Sequence, residues 1–205
     1  MTVVATIGGS ARGQADGKPV RIVVLGDSLT AGYMLPGAAA FPAVLERSLR
    51  SAGMNVEVVN AGVSGDTSTG GLERLDWAIG EGADALIVEL GANDMLRGLN
   101  PDITYHALGE IVARAKSRNI RVLLAGMVAA PGIGREYEER FNGIFARVSR
   151  EQDVPLYGFF LDGVAGEPKL QLGDGMHPNT AGVEIIVGRI LPMVRELVAP
   201  LATRS

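Results

Sequence analysis

The chain has no cysteine among its 205 residues. That absence removes disulfides, thiolate metal sites and a cysteine nucleophile together, and leaves the compartment open. Histidine is nearly as scarce, with His106 and His177 only and no His-Glu-x-x-His pattern, so a histidine-rich metal centre is not expected. Aromatics make up 5% of the residues, with a single tryptophan. No block of five or six like charges occurs, and the net charge is −4, so neither a nucleic acid nor an anionic membrane is indicated as a partner. No apolar run reaches the length of a membrane span.

What remains is an ordinary globular mixture, 47% hydrophobic and 20% charged, in a length that suits one α/β domain. Residues 1–19, "MTVVATIGGSARGQADGKP", are small and Gly-rich and read as an N-terminal extension. They lack the basic start and long apolar core of an intact signal peptide. The stretch "TVVATIGGSARGQA" fits equally the tail of such a leader or a plain extension. Residues 20–205 carry no internal repeat and no linker, and read as a single domain.

Five aliphatic runs predict strands at 20–26, 55–62, 84–91, 120–127 and 154–159. Near-continuous Val, Ile and Leu in three of them suits strands covered on both faces of a parallel sheet. Between them run helical stripes: Phe41, Val44, Leu45 and Leu49; Leu108, Ile111, Val112 and Ala115; Phe141, Ile144, Phe145 and Val148; and Val187, Ile190, Leu191 and Val194. Alternation of this kind predicts a doubly wound α/β/α sandwich with a five-stranded parallel sheet. Ligands of such folds bind outside the carboxyl ends of the strands.

Those strand ends hold the chemistry-bearing residues. The first run, "VVLGDSLTAGY", ends in Gly26-Asp27-Ser28, either an ordinary capped turn or the display of a nucleophilic serine. Serine needs a base. His106 lies about 160° around its helix from the apolar stripe and reads as a surface residue. His177, in the rigid setting of "DGMHPN", is the better base, with Asp174 placed to fix its tautomer. Acyl transfer also needs donors for the developing oxyanion, and Gly65 of "GVSG" and Asn93 of "GAND" offer them. Each has a plain alternative, a Gly-rich turn and a helix cap.

The ordered blocks "GDSLTAGY", "GVSGDTS", "GAND" and "DGMHPN" resemble the GDSL, or SGNH, hydrolase family over nearly the whole chain. "ANDMLRGLNP", "GREYEERFN" and "VPLYGFFLDGVAG" are similar to its bacterial branch of acyl thioesterases, lysophospholipases and arylesterases. The resemblance implies a flavodoxin-like sandwich and an esterase with Ser28 as nucleophile, His177 as general base and acid, and Asp174 as its orienter. It implies an oxyanion hole from the Ser28 and Gly65 N–H groups and the Asn93 amide, with Asp27 holding the turn. It implies no cofactor and no metal, a small ester or thioester as substrate, and a periplasmic or secreted location over a cytoplasmic one. Two departures bear on specificity: "VAAPGIG" (128–134) lacks a polar group common in the branch, and Met95 is expected to crowd the cleft. A carbohydrate acetylesterase is the alternative within the family. A phosphate- or nucleotide-binding module is the alternative outside it, although no lysine follows the glycines of "NAGVSGDTSTGG" as a P-loop requires.

Overall fold

The computed structural model describes residues 17–202; the possible leader remnant falls in residues 1–16, outside the described residues. Five strands form one parallel sheet: β1 (Val20–Gly26), β2 (Val56–Gly62), β3 (Ala85–Glu89), β4 (Arg121–Ala125) and β5 (Leu156–Tyr157). The helices are α1 (Ser28–Ala31), α2 (Phe41–Ser51), α3 (Ser68–Glu73), α4 (Leu75–Ile79), α5 (Ala92–Leu96), α6 (Pro101–Ser117), α7 (Arg135–Gln152) and α8 (Thr180–Ala202).

The strand order is β2-β1-β3-β4-β5, the flavodoxin-like arrangement, in which the winding reverses between β1 and β3. Every residue of β3 is buried, as a central strand with helices on both faces requires. The stripes read from sequence are the buried faces. Phe41, Val44, Leu45 and Leu49 face inward on α2, which packs on α8. On the other side α6 lies against both α3 and α7, and Phe141, Ile144, Phe145 and Val148 of α7 are buried. Side chains of this size each gain about 1.5–3 kcal/mol on burial.

The fifth run is shorter than its sequence suggested. Pro155 has no N–H to donate, although its carbonyl still accepts from the Leu124 N–H at 3.0 Å. Beyond Tyr157 only single bonds continue the pairing, among them Phe160 N–H to Gly126 O at 2.8 Å.

In β1 and β2, Gly26 and Gly62 are register partners at the carboxyl edge. A methyl group on Gly62 would lie 2.3 Å from Ala31 N, 2.7 Å from Ala31 Cα and 2.9 Å from Asp27 O. All three are backbone atoms of the turn that carries Ser28, so they yield only if that turn moves. Gly62→Ala should therefore cost about 1–3 kcal/mol by overpacking. Gly109→Ala, in α6 with nothing within 4 Å of the new methyl, should instead gain about 0.5–1 kcal/mol. Urea unfolding of the two variants checks both signs, and equal midpoints would contradict them.

Candidate active site

Where β1 ends, the chain turns within one residue into α1. Asp27 is fully buried and caps this short helix, its Oδ1 accepting from the Leu29 N–H at 2.9 Å. Ser28 is the first helical residue, and its Oγ lies 2.8 Å from Nε2 of His177, 149 positions away in sequence. His177 sits in the loop before α8, held by the Leu172 N–H to its carbonyl at 2.8 Å and by a bridge between Gln171 and Pro178.

Asp174 completes the row. Its Oδ2 lies 2.6 Å from His177 Nδ1, while Oδ1 accepts the N–H groups of Met176 and His177 at 2.9 and 3.0 Å. The backbone donors of His177 and Met176, followed by the imidazole bond, hold its carboxyl down at about 2. An ionised Asp174 accepts the proton of Nδ1–H, which leaves the Nε2 lone pair facing the Ser28 hydroxyl. Tyr33 covers the imidazole, its ring centroid 4.5 Å away.

Gly65 adopts φ +86°, a left-handed conformation that favours glycine, in the loop after β2. Neither its N–H nor that of Ser28 donates to an acceptor among the described residues. Asn93 lies inside α5 and is not its cap, which is Gly91. Its Nδ2 donates to Asp27 Oδ2 at 3.0 Å and to Asp66 O at 2.9 Å. The amide is thus anchored between the serine turn and the Gly65 loop. The adjacent Asp94 fixes α5 from behind, bonding Ser68 Oγ at 2.5 Å and Thr104 Oγ1 at 3.0 Å.

Two residues clarify the sequence reading. His106 is exposed, as expected. Met95 does not crowd the cleft: it is 8% exposed and packs in the hydrophobic core. Two residues apart on a helix means about 200° of rotation, so Asn93 at the cleft sends Met95 inward.

The sequence reading missed the groups behind the serine. Glu89 ends β3 fully buried; its Oε2 accepts from Thr30 Oγ1 at 2.7 Å, and its Oε1 has no partner among the described residues. Burial, then the nearby Asp27, pushes this carboxyl well above its ordinary range. Burial also raises Asp27 to about 6, against the Leu29 N–H, His177 and the Asn93 amide. A lone acid in the aliphatic run "ALIVELG" was the available signal. Arg74, 17% exposed, is the other omission, and no motif marks it. Among the described residues no group of three His, Cys, Asp or Glu side chains is arranged to hold a metal ion.

A strand-end serine, an imidazole and a carboxylate in one hydrogen-bonded row define a hydrolase-type site on a flavodoxin-like sandwich. The profile of the GDSL-like Lipase/Acylhydrolase family matches residues 24–185. Thioesterase 1/protease 1/lysophospholipase L1 of Escherichia coli strain K12 is 38% identical over 178 residues, 86% of this chain and 84% of that protein. An arylesterase of Vibrio mimicus is 36% identical, over 83% of this chain and 84% of its own length. Among solved structures, AlinE4, an esterase of the SGNH-hydrolase family, superposes with a TM-score of 0.75 at 40% identity, covering 88% of this chain and 97% of its own. The chain belongs to the GDSL-like lipase/acylhydrolase family.

The buried acids make a pH-dependent contribution to stability. Raised values for Asp27 and Glu89 mean that the native state binds more protons than the unfolded chain above about pH 4. Stability contributed by these groups therefore falls as pH rises through about 6 and beyond. Glu89→Gln, neutral at every pH, should flatten the decline, so its stability relative to the native protein should rise from pH 5 to pH 8. Urea titrations across that range measure the difference, and parallel curves would refute it.

Proposed function

We infer that this chain is a serine hydrolase of carboxylic esters, built as a single hydrolase domain over residues 20–205, with Ser28 as its nucleophile. The observation that carries this reading is the row Ser28 Oγ, His177 Nε2, His177 Nδ1 and Asp174 Oδ2, with gaps of 2.8 and 2.6 Å. Its Ser–His gap already permits proton transfer in one step.

In this mechanism His177 takes the hydroxyl proton as Ser28 Oγ attacks the ester carbonyl. Negative charge then develops on the carbonyl oxygen, where the N–H groups of Ser28 and Gly65 and the Asn93 amide are the donors. Collapse of the tetrahedral species expels the alcohol, which receives the proton from His177, and leaves an acyl group on Ser28. Water, activated by the same imidazole, releases the acid. Asp174 stays ionised throughout and stabilises the imidazolium.

For substrate class, short- to medium-chain acyl or aryl esters are favoured, with acyl thioesters and lysophospholipids as further candidates. Among the described residues, the exposed large apolar side chains include Tyr33, whose ring lies over His177, with Met34 and Met176 next to these two in sequence; Val63, Leu96 and Val128 follow β2, β3 and β4, while Trp77 and Ile103 lie on α4 and α6. Apolar side chains beside the imidazole suit acyl and aryl groups. A sugar ester would need polar partners for its hydroxyls, and "VAAPGIG" after β4 supplies no polar side chain.

With a p-nitrophenyl ester, Ser28→Ala and His177→Ala should each reduce kcat on the order of 10⁴–10⁶-fold while the fold survives. Asn93→Ala should lose roughly a hundredfold in kcat with KM little changed. His106→Ala, on the exposed face of α6, should be silent. Turnover surviving in folded Ser28→Ala would end this assignment.

A further inference from the structure

Arg74 stands at the junction of α3 and α4, outside every block that marks the family resemblance. Its guanidinium makes three hydrogen bonds to three different segments. Nε meets Asp66 Oδ2 at 2.5 Å, one terminal nitrogen meets Ala61 O at 2.8 Å, and the other meets Gly26 O at 2.9 Å. Gly26 closes β1 immediately before Asp27 and Ser28, and Ala61 stands at the end of β2. Asp66 follows Gly65, and its carbonyl is the acceptor that holds Asn93 Nδ2 at 2.9 Å.

We propose that Arg74 is a positioning residue for the oxyanion-binding groups, fixing the Gly65–Asp66 loop, and through Asp66 the Asn93 amide, relative to Ser28. An ion pair serving stability alone would need only Asp66. Here the partners are the ends of two adjacent strands and the loop that leaves the second, so one rigid plane sets the distance between serine turn and oxyanion loop. The pair is shielded, with Arg74 17% and Asp66 18% exposed, so solvent does not dissolve this geometry. Lysine keeps the charge but not the planar fork, and cannot satisfy three acceptors in these directions. Misplacement of catalytic donors by about 1 Å costs up to roughly a hundredfold in rate.

The inference rests on the ester-hydrolase reading, and the two are separable by experiment. Wild type and Ser28→Ala are assayed first on a p-nitrophenyl ester; absence of Ser28-dependent turnover would count against the reading itself. Arg74→Ala and Arg74→Lys should then lower kcat about ten- to a hundredfold with KM changed less than about threefold. The decisive measurement is a double-mutant cycle. If Arg74 acts through the oxyanion donors, adding Arg74→Ala to Asn93→Ala should cost far less than it costs the native enzyme. Full multiplicative losses, or native kcat in folded Arg74→Ala, would overturn the proposal. Should the alanine variant fail to fold, the cycle runs with Arg74→Lys. Independently of activity, the Gly65 N–H and Asn93 side-chain amide signals in ¹⁵N NMR spectra should shift in Arg74→Lys, and unmoved signals would also overturn it.

Discussion

The buried carboxyl group of Asp27 is the interaction on which the site depends. One oxygen caps α1 through the Leu29 N–H, and the other accepts the Asn93 amide. The first bond ends the strand and starts the helix within a single residue, which leaves Ser28 at the helix origin with its side chain toward His177. The second ties that turn to α5, the element following β3. Without the carboxyl group, the buried Leu29 N–H and an Asn93 proton would lose their acceptor. The conformation of the serine turn and the placement of Asn93 are therefore one constraint.

Sheet topology makes such a constraint possible. Because β1 lies between β2 and β3, the segments leaving all three strands emerge at neighbouring points on one edge. Ser28 follows β1, Gly65 follows β2 and Asn93 follows β3. His177 comes from much later in the chain and is delivered by the loop before α8, whose hydrogen bonds fix it without help from the sheet. Three contributors are thus positioned by parallel registry and the fourth by its own loop.

Much of this was legible in the sequence, for identifiable reasons. Buried parallel strands betray themselves as aliphatic runs, and amphipathic helices as stripes, so β1 to β4 and the principal helices fall within a few residues of expectation. Ser28, His177 and Asp174, which the structure brings into one hydrogen-bonded row, were candidates by side-chain chemistry, the first at a strand end and the other two in a Gly- and Pro-bounded turn, while Gly65 and Asn93 were candidate donors in the segments after β2 and β3. Arg74 was not, since its role comes from three backbone and side-chain acceptors brought near it only by folding. Met95 was misjudged because a separation of two residues from Asn93, close in sequence, is opposition on a helix. The brevity of β5 depends on an edge position and on Pro155, whose effect is local.

Asp27 and Glu89 pose an electrostatic problem that the same network answers. Two ionised carboxylates behind Ser28 would oppose negative charge on an incoming carbonyl oxygen. Burial raises both carboxyl groups, Asp27 to about 6, and the neighbouring Asp27 further disfavours ionisation of Glu89. The pair therefore holds less negative charge near neutrality than two exposed carboxyls would. Asn93 stands against the nearer of them, with its amide nitrogen toward Asp27, and Arg74 balances the charge of Asp66 on the opposite side of that amide. In this protein the acids that shape the serine turn are held where their charge is suppressed or paired, whereas the Asp174 carboxyl, held down by the backbone N–H groups of His177 and Met176, stays ionised beside the imidazole.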